Sequence, residues 1–188
     1  MSLTRAIYSA ALNGDKLSPK VSTSTNYKHW VSTQDLKRCL ECANNHGKIW
    51  YISETPSPKP PLHPRCRCAI ERMKSIIAGT ATINGINGSD WVLMFRGSLP
   101  NYYISKKDAL AKGWKPSKWP SNFVLNKMIT GGIYKNRNEH LPQASGRIWY
   151  EADINYKSGK RNTQRILWSN DGLMFVTYDH YETFYEII

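Results

Sequence analysis

All four cysteines of this 188-residue chain, Cys39, Cys42, Cys66 and Cys68, fall within its first 68 positions. A cross-link or metal held by them cannot tie down the second half, which must fold on apolar burial alone. The asymmetry predicts two modules, 1–84 and 85–188. Between the cysteine pairs stand Pro56, Pro58, Pro60, Pro61 and Pro64. Proline removes an amide donor and locks φ, so long helices are excluded there and loops with short strands are expected. Ahead of them, Thr4 to Leu12 predicts a short helix before Gly14, followed by a polar stretch. Ala69 to Ala78 sets Ile70, Met73 and Ile77 at helical spacing before Gly79, with a strand starting after Cys68 as the alternative. The three glycines and two asparagines of 79–89 predict a loose linker.

The second half changes character. Asp90 to Arg96 predicts a short apolar helix, and Ser105-Lys-Lys-Asp108 a capping box opening a helix that stops at Gly113. After a loop-rich 116–142, strands take over. Ile148, Tyr150, Ala152 and Ile154 alternate with Arg147, Trp149, Glu151 and Asp153, predicting a core face and a charged face. Arg165 to Ser169 and Leu173 to Thr177 flank Asn170-Asp-Gly172, a hairpin signal, and Thr183 to Ile187 adds another strand. The fold class is α+β: short N-terminal helices on an antiparallel sheet, preceded by a small loop-rich Cys/His module.

Composition narrows function without naming it. The chain is 40% hydrophobic and 12% aromatic, enough for a packed core. No run approaches the roughly 18 apolar residues of a membrane span, so no membrane partner is expected. The net charge is +12, with +5 on residues 89–188. That balance favours polyanions, nucleic acid before the others.

The run Glu151-Ala-Asp-Ile-Asn-Tyr-Lys-Ser-Gly-Lys-Arg161-Asn-Thr-Gln-Arg165, followed by Tyr178-Asp-His180-Tyr181, resembles the barnase-like microbial guanyl-specific ribonucleases. The likeness extends from about residue 85 to the end through Leu99-Pro100, Gly113-Trp114, Leu141-Pro142 and Ser145-Gly-Arg147. It implies an endoribonuclease with Glu151 as general base and His180 as general acid. Arg161, Arg165 and Lys106 would hold the phosphate, and Tyr181 would contact it. Asp153 would orient the two arginines. Such chemistry is self-consistent: the 2′-hydroxyl attack needs a base, an acid for the departing 5′-oxygen, and fixed cations around a phosphorane-like transition state. RNA is then the substrate and catalysis needs no cofactor. The resemblance further implies a secreted toxin and a small acidic barstar-like inhibitor that covers the basic site.

Base recognition departs from the family. Its Ser-Asn-Arg-Glu-Gly loop is here Lys135-Asn136-Arg137-Asn138-Glu139, so an amide replaces the carboxylate that pairs with guanine, and a glutamate follows one residue later. The aspartate after the glycine pair is also missing, at Gly131-Gly132-Ile133. Cys39, Cys42, His63, Cys66 and Cys68 form two clusters near the spacing of a structural zinc site, while two disulfides or free thiols remain alternatives. Asp35 to Lys48 with Pro61 to Cys68 resembles a motif of phage minor head proteins. That resemblance implies an alternative function, a phage-related nucleic-acid-binding structural protein with weakened nuclease activity.

Overall fold

A computed structural model of the chain describes residues 17–156 and 159–188, so the expected Thr4 to Leu12 helix lies outside the described residues. In chain order the elements are β1 (Val21–Val31), α1 (Leu40–Asn45), β2 (Ile49–Tyr51), β3 (Ala69–Ile76), α2 (Ser89–Arg96), β4 (Tyr103–Ser105), α3 (Lys106–Ala111), β5 (Met128–Tyr134), β6 (Trp149–Asp153), β7 (Arg165–Ser169), β8 (Met174–Thr177) and β9 (Tyr185–Ile187). Among the described residues the strands form one sheet in the order β2-β1-β3-β9-β8-β7-β6-β5-β4. The class is α+β, but the sheet is larger than expected and mixed rather than antiparallel. β4–β5 and β3–β9 are parallel pairs. Parallel neighbours need a long crossover, which α3 and its following loop supply in one case and all of 77–184 in the other.

Coverage of both faces of this sheet blurs the burial pattern of its strands. For β3 the two readings were a helix, from Ile70, Met73 and Ile77 recurring at three and four, and a strand starting after Cys68; the strand is what forms. In it Met73 joins one core cluster and Ile76 the other, so burial does not alternate simply. β1 looked like a polar stretch. Ser24 and Tyr27 are buried on either side of a register shift between Thr23 and Lys28, the mark of a bulge, while Tyr27 and Trp30 lie in regularly paired strand and are buried on opposite faces. β6 was expected to have one core and one charged face, yet Trp149 and Asp153 are 2% and 1% exposed while Ile148 is 40% exposed. Ala152, Ile154, Ile166 and Val176 build the first core with Leu93 of α2. Trp149, Leu167 and Phe175 build the second with Tyr27, Ile49 and Met73 from the first 84 residues.

Polar contacts reinforce this join. The buried Glu186 carboxylate accepts from Ser24 Oγ at 2.5 Å and Asn26 Nδ2 at 2.7 Å, fastening β1 to β9. The 79–89 segment, expected as a loose linker, is held tightly. Asp90, fully buried, accepts from the amides of Gly79 and Ala81 and from Thr82 Oγ1 at 2.6–2.9 Å. Satisfying a buried carboxylate with three donors fixes that turn, because an unpaired buried carboxylate costs far more than an unpaired neutral polar group. β5, inside the stretch expected to be loop, forms despite two glycines because it is paired on both sides.

Candidate active site

β6 and β7 pair antiparallel with Glu151 opposite Leu167 and Asp153 opposite Arg165, and β8 sets Thr177 opposite Arg165. The period of two therefore puts Glu151, Asp153, Arg165 and Thr177 on one face. Next door, β5 pairs Thr130 with Ala152 but Gly132 with Glu151, leaving Gly131 as the extra residue of a bulge. A Cβ on Gly131 would lie 2.6 Å from Glu151 Oε1. Only glycine gives that carboxylate its room.

The turn after β8 carries the next two groups. Thr177 Oγ1 donates to Asp179 Oδ1 and accepts the Tyr181 amide, both at 3.0 Å, while the Thr183 amide donates to Asp179 Oδ1 at 2.9 Å. Held this way, His180 and Tyr181 both adopt positive φ, 64° and 71°. For side-chain-bearing residues that conformation costs roughly 1–2 kcal/mol each, offset here by the surrounding hydrogen bonds. The result aims Tyr181 back over the sheet. Its hydroxyl donates to Glu151 Oε2 at 2.6 Å, its ring stacks on Tyr134 with centroids 5.3 Å apart, and the exposed His180 imidazole lies 4.9 Å from it. Burial, then the bond to Glu151, holds the Tyr181 hydroxyl well above its ordinary pKa, so it stays a donor. Burial and the Glu151 charge push Tyr134 up to about 12.

Asp153 gathers the cations. Its carboxylate takes Arg161 Nε at 2.5 Å and Nη2 at 2.7 Å, and Arg165 Nε at 3.0 Å. Arg165 is further fixed by the carbonyls of Asn162 and Gln164, and Arg161 lies 5.6 Å over the Trp114 ring. The bond to Asp153 raises the Arg161 pKa further. Two guanidiniums bound to one buried carboxylate keep donors free for an anion. Lys106 sits exposed at the first position of α3, which Ser105 caps by accepting the Asp108 amide at 3.0 Å. Ser105 pairs with Thr130, whose hydroxyl donates to the Glu151 carbonyl, so α3 starts at the edge of the sheet next to β5.

The loop after β5 divides into framework and surface. Asn136 is 4% exposed with φ 42°, and its amide bonds both the Leu141 carbonyl (2.8 Å) and the Leu141 amide (3.1 Å). Lys135, Arg137, Asn138 and Glu139 are exposed. Glu139 Oε2 lies 3.9 Å from Lys48 Nζ. His140 joins this loop to its neighbours, its carbonyl accepting the Ile49 amide of β2 and its Nδ1 lying 3.2 Å from the Tyr181 carbonyl. A cleft of about 430 Å³ opens between the loop and the α1 region, lined by Arg38, His46, Lys48, Arg137, Asn138 and Glu182 among others.

Comparison with known proteins supplies the family. A ribonuclease family model matches residues 95–188. A ribonuclease of Heyndrickxia coagulans is 45% identical over 109 residues, 57% of this chain and 99% of the relative. The chain belongs to the barnase-like ribonuclease family. Ribonucleases of Bacillus intermedius and Bacillus pumilus are each 42% identical over 118 residues, 62% of this chain and 72% of theirs. The ribonuclease is thus an endoribonuclease, a hydrolase of RNA. Its matched region begins inside α2, so β1 to β3 lie outside the family match and extend the sheet by three strands. Elsewhere, Cys39, Cys42 and His63 form one group of donors and Cys42, Cys66 and Cys68 another. Among the described residues no helix is long and apolar enough to cross a membrane.

The residues singled out by sequence, Glu151, Asp153, Arg161, Arg165, His180 and Tyr181, come together in the ribonuclease. Sequence reading missed Gly131, Tyr134, Thr177, Asp179 and Trp114. Only the glycine pair at 131–132 carried a signal, since glycine inside a strand marks a bulge or a close approach.

Proposed function

We propose that the enzyme cleaves single-stranded RNA by transphosphorylation to a 2′,3′-cyclic phosphate, followed by hydrolysis, without a catalytic metal. Glu151 takes the 2′-hydroxyl proton and His180 protonates the departing 5′-oxygen. In the second step the protonated Glu151 is the acid and His180 activates water. Arg161, Arg165 and Lys106 bind the phosphate and stabilise the charge that builds on it. Tyr181 contacts the phosphate and steadies Glu151. The observation that carries this reading is the meeting of Glu151 and His180 at Tyr181, beside two guanidiniums held by one carboxylate. Catalysis resides in 85–188, and 1–84 is a flanking module.

The loop of Lys135, Asn136, Arg137, Asn138 and Glu139 receives the base. A carboxylate accepts from both guanine N1–H and its amine, whereas Asn138 offers one acceptor and one donor, and Glu139 lies toward Lys48. Guanine preference is therefore weaker than a carboxylate would give. Biologically the enzyme acts as a secreted toxin whose producer needs an acidic barstar-like inhibitor over Arg161, Arg165 and His180. That partner is checked by adding acidic candidate inhibitors to the cleavage reaction; no suppression by any of them rejects it.

The test of the chemistry is cleavage of single-stranded RNA in EDTA. Cyclic-phosphate ends are expected, with Glu151→Ala and His180→Ala each slowed by at least ~100-fold. Wild-type rates in either variant reject its assigned role. Homopolymer substrates run in parallel measure how far guanine is still preferred.

A further inference from the structure

A second cluster of Cys and His side chains shares no residue with the groups assigned to RNA cleavage. Cys39 Sγ lies 3.2 Å and Cys42 Sγ 3.3 Å from His63 Nε2, and Cys42 Sγ lies 3.8 Å from Cys66 Sγ. Zinc bonds of about 2.3 Å to sulfur and 2.0–2.1 Å to nitrogen set the edges of a tetrahedron at roughly 3.8 Å for S···S and 3.5 Å for S···N. The three separations fit those edges within about 0.3 Å. A disulfide needs sulfurs about 2.05 Å apart, and all four cysteines are unbridged.

The histidine is oriented as a ligand. Its Nδ1 lies 2.9 Å from the Pro64 carbonyl, so the proton sits there and the Nε2 lone pair faces the sulfurs. Without a cation, two thiols would compete for that single lone pair. A cation satisfies Nε2 and both sulfurs together. The Cys42 amide donates to Cys39 Sγ at 3.4 Å. Lys37, Arg38, Arg65 and Arg67 surround the cluster and offset its negative charge.

Apart from the exposed Arg67–Asp35 ion pair near its end, the segment has little to hold it. From Glu54 to Cys68 the chain is interrupted by five prolines, Pro56 is its one buried residue, and no helix or strand forms. Such a stretch cannot offset its ordering entropy by apolar burial, and a structural metal is the usual remedy.

We propose that the protein binds one structural zinc ion through Cys39, Cys42, His63 and Cys66. Cys66 and Cys68 are both grouped with Cys42, but only the Cys66 sulfur is placed one tetrahedral edge, 3.8 Å, from Cys42 Sγ, so Cys66 is the fourth ligand and Cys68 stays outside the coordination sphere. The ion closes the loop between α1 and β3, a role independent of RNA cleavage.

The test uses the full chain purified without chelator. Native mass spectrometry should give one zinc per chain, and denaturing mass spectrometry without reductant should find all four thiols free. A chain that holds no zinc after incubation with excess Zn²⁺, or one carrying Cys–Cys bonds, overturns the proposal. Cys66→Ser should weaken zinc binding at least ~10-fold and Cys68→Ser less than ~3-fold; the reverse order overturns the ligand set. Should Cys66→Ser fail to fold, alkylation of the wild type decides the same point. Cys68 should react first in the zinc-loaded protein, and equal reactivity of all four thiols refutes the site. Neither readout depends on cleavage, so the ribonuclease reading stands or falls separately.

Discussion

Replacing Asp153 with asparagine removes one charge from a site with almost no water. The carboxylate is 1% exposed, the Arg165 side chain 8% and the Arg161 side chain 26%. Asparagine fits the same space, but its single carbonyl oxygen cannot accept from Arg161 Nε, Arg161 Nη2 and Arg165 Nε together. Two guanidiniums are then left facing each other uncompensated. Breaking a buried pair by removing one partner costs about 3–5 kcal/mol. The partial exposure of Arg161 lets it swing to solvent, which puts the cost near the lower end, about 3 kcal/mol. For a chain of this length that is a fall in Tm of roughly 6–12 °C. Activity should fall with it, by about 100-fold, because a displaced clamp no longer positions the phosphate. Thermal unfolding and initial rates of RNA cleavage, measured below the variant's transition, read the two effects. Adding Arg161→Gln should restore about 1–2 kcal/mol, since one uncompensated cation has gone. A variant melting within a degree or two of wild type would refute the reasoning, for it would mean that the carboxylate does not compensate the two arginines.

Other substitutions separate chemistry from stability. Gly131→Ala should cut kcat at least ~10-fold while moving Tm little, because the nearest atoms its methyl would meet all belong to the Glu151 side chain, none to the backbone; unchanged kcat rejects the crowding argument. Tyr181→Phe keeps the stack on Tyr134 but loses a charge-assisted hydrogen bond worth about 1.5–3 kcal/mol, so kcat/KM should drop roughly 10- to 100-fold, and a rate within twofold of wild type contradicts it. His46 Nδ1 accepts the Ser32 amide, and burial followed by the Arg38 charge lowers its pKa from 6.5 to about 4. The unfolded chain binds that proton below about 6.5 and the folded chain only near 4, so stability is lost as pH falls through this window, by up to about 2 kcal/mol at pH 5. Urea midpoints at pH 7 and pH 5 should differ less in His46→Gln, and an equal difference in both proteins excludes His46 as the source.

Signals that act within a few residues were legible in the sequence. Ser105 caps α3 because its hydroxyl needs only an amide three positions on. Asn170-Asp-Gly172 turns the chain between β7 and β8 because Gly172 takes φ 94° locally. The chemical types of Glu151, Arg161, Arg165 and His180 named the reaction class through family likeness before any geometry was known. Features that depend on a distant partner were not legible. β1 and β3 are strands because each finds a neighbour on both sides, and Met73 and Ile76 are buried on opposite faces, which erases the period of two. Asp153 became a buried anchor, rather than part of a solvated face, once Trp149 and Leu167 met Tyr27, Ile49 and Met73 across the sheet. The room beside Glu151 exists only where the β5 bulge brings Gly131 alongside it. Caps and turns are settled by dihedral angles and near neighbours, whereas burial and pairing are properties of surfaces that only the folded chain brings into contact.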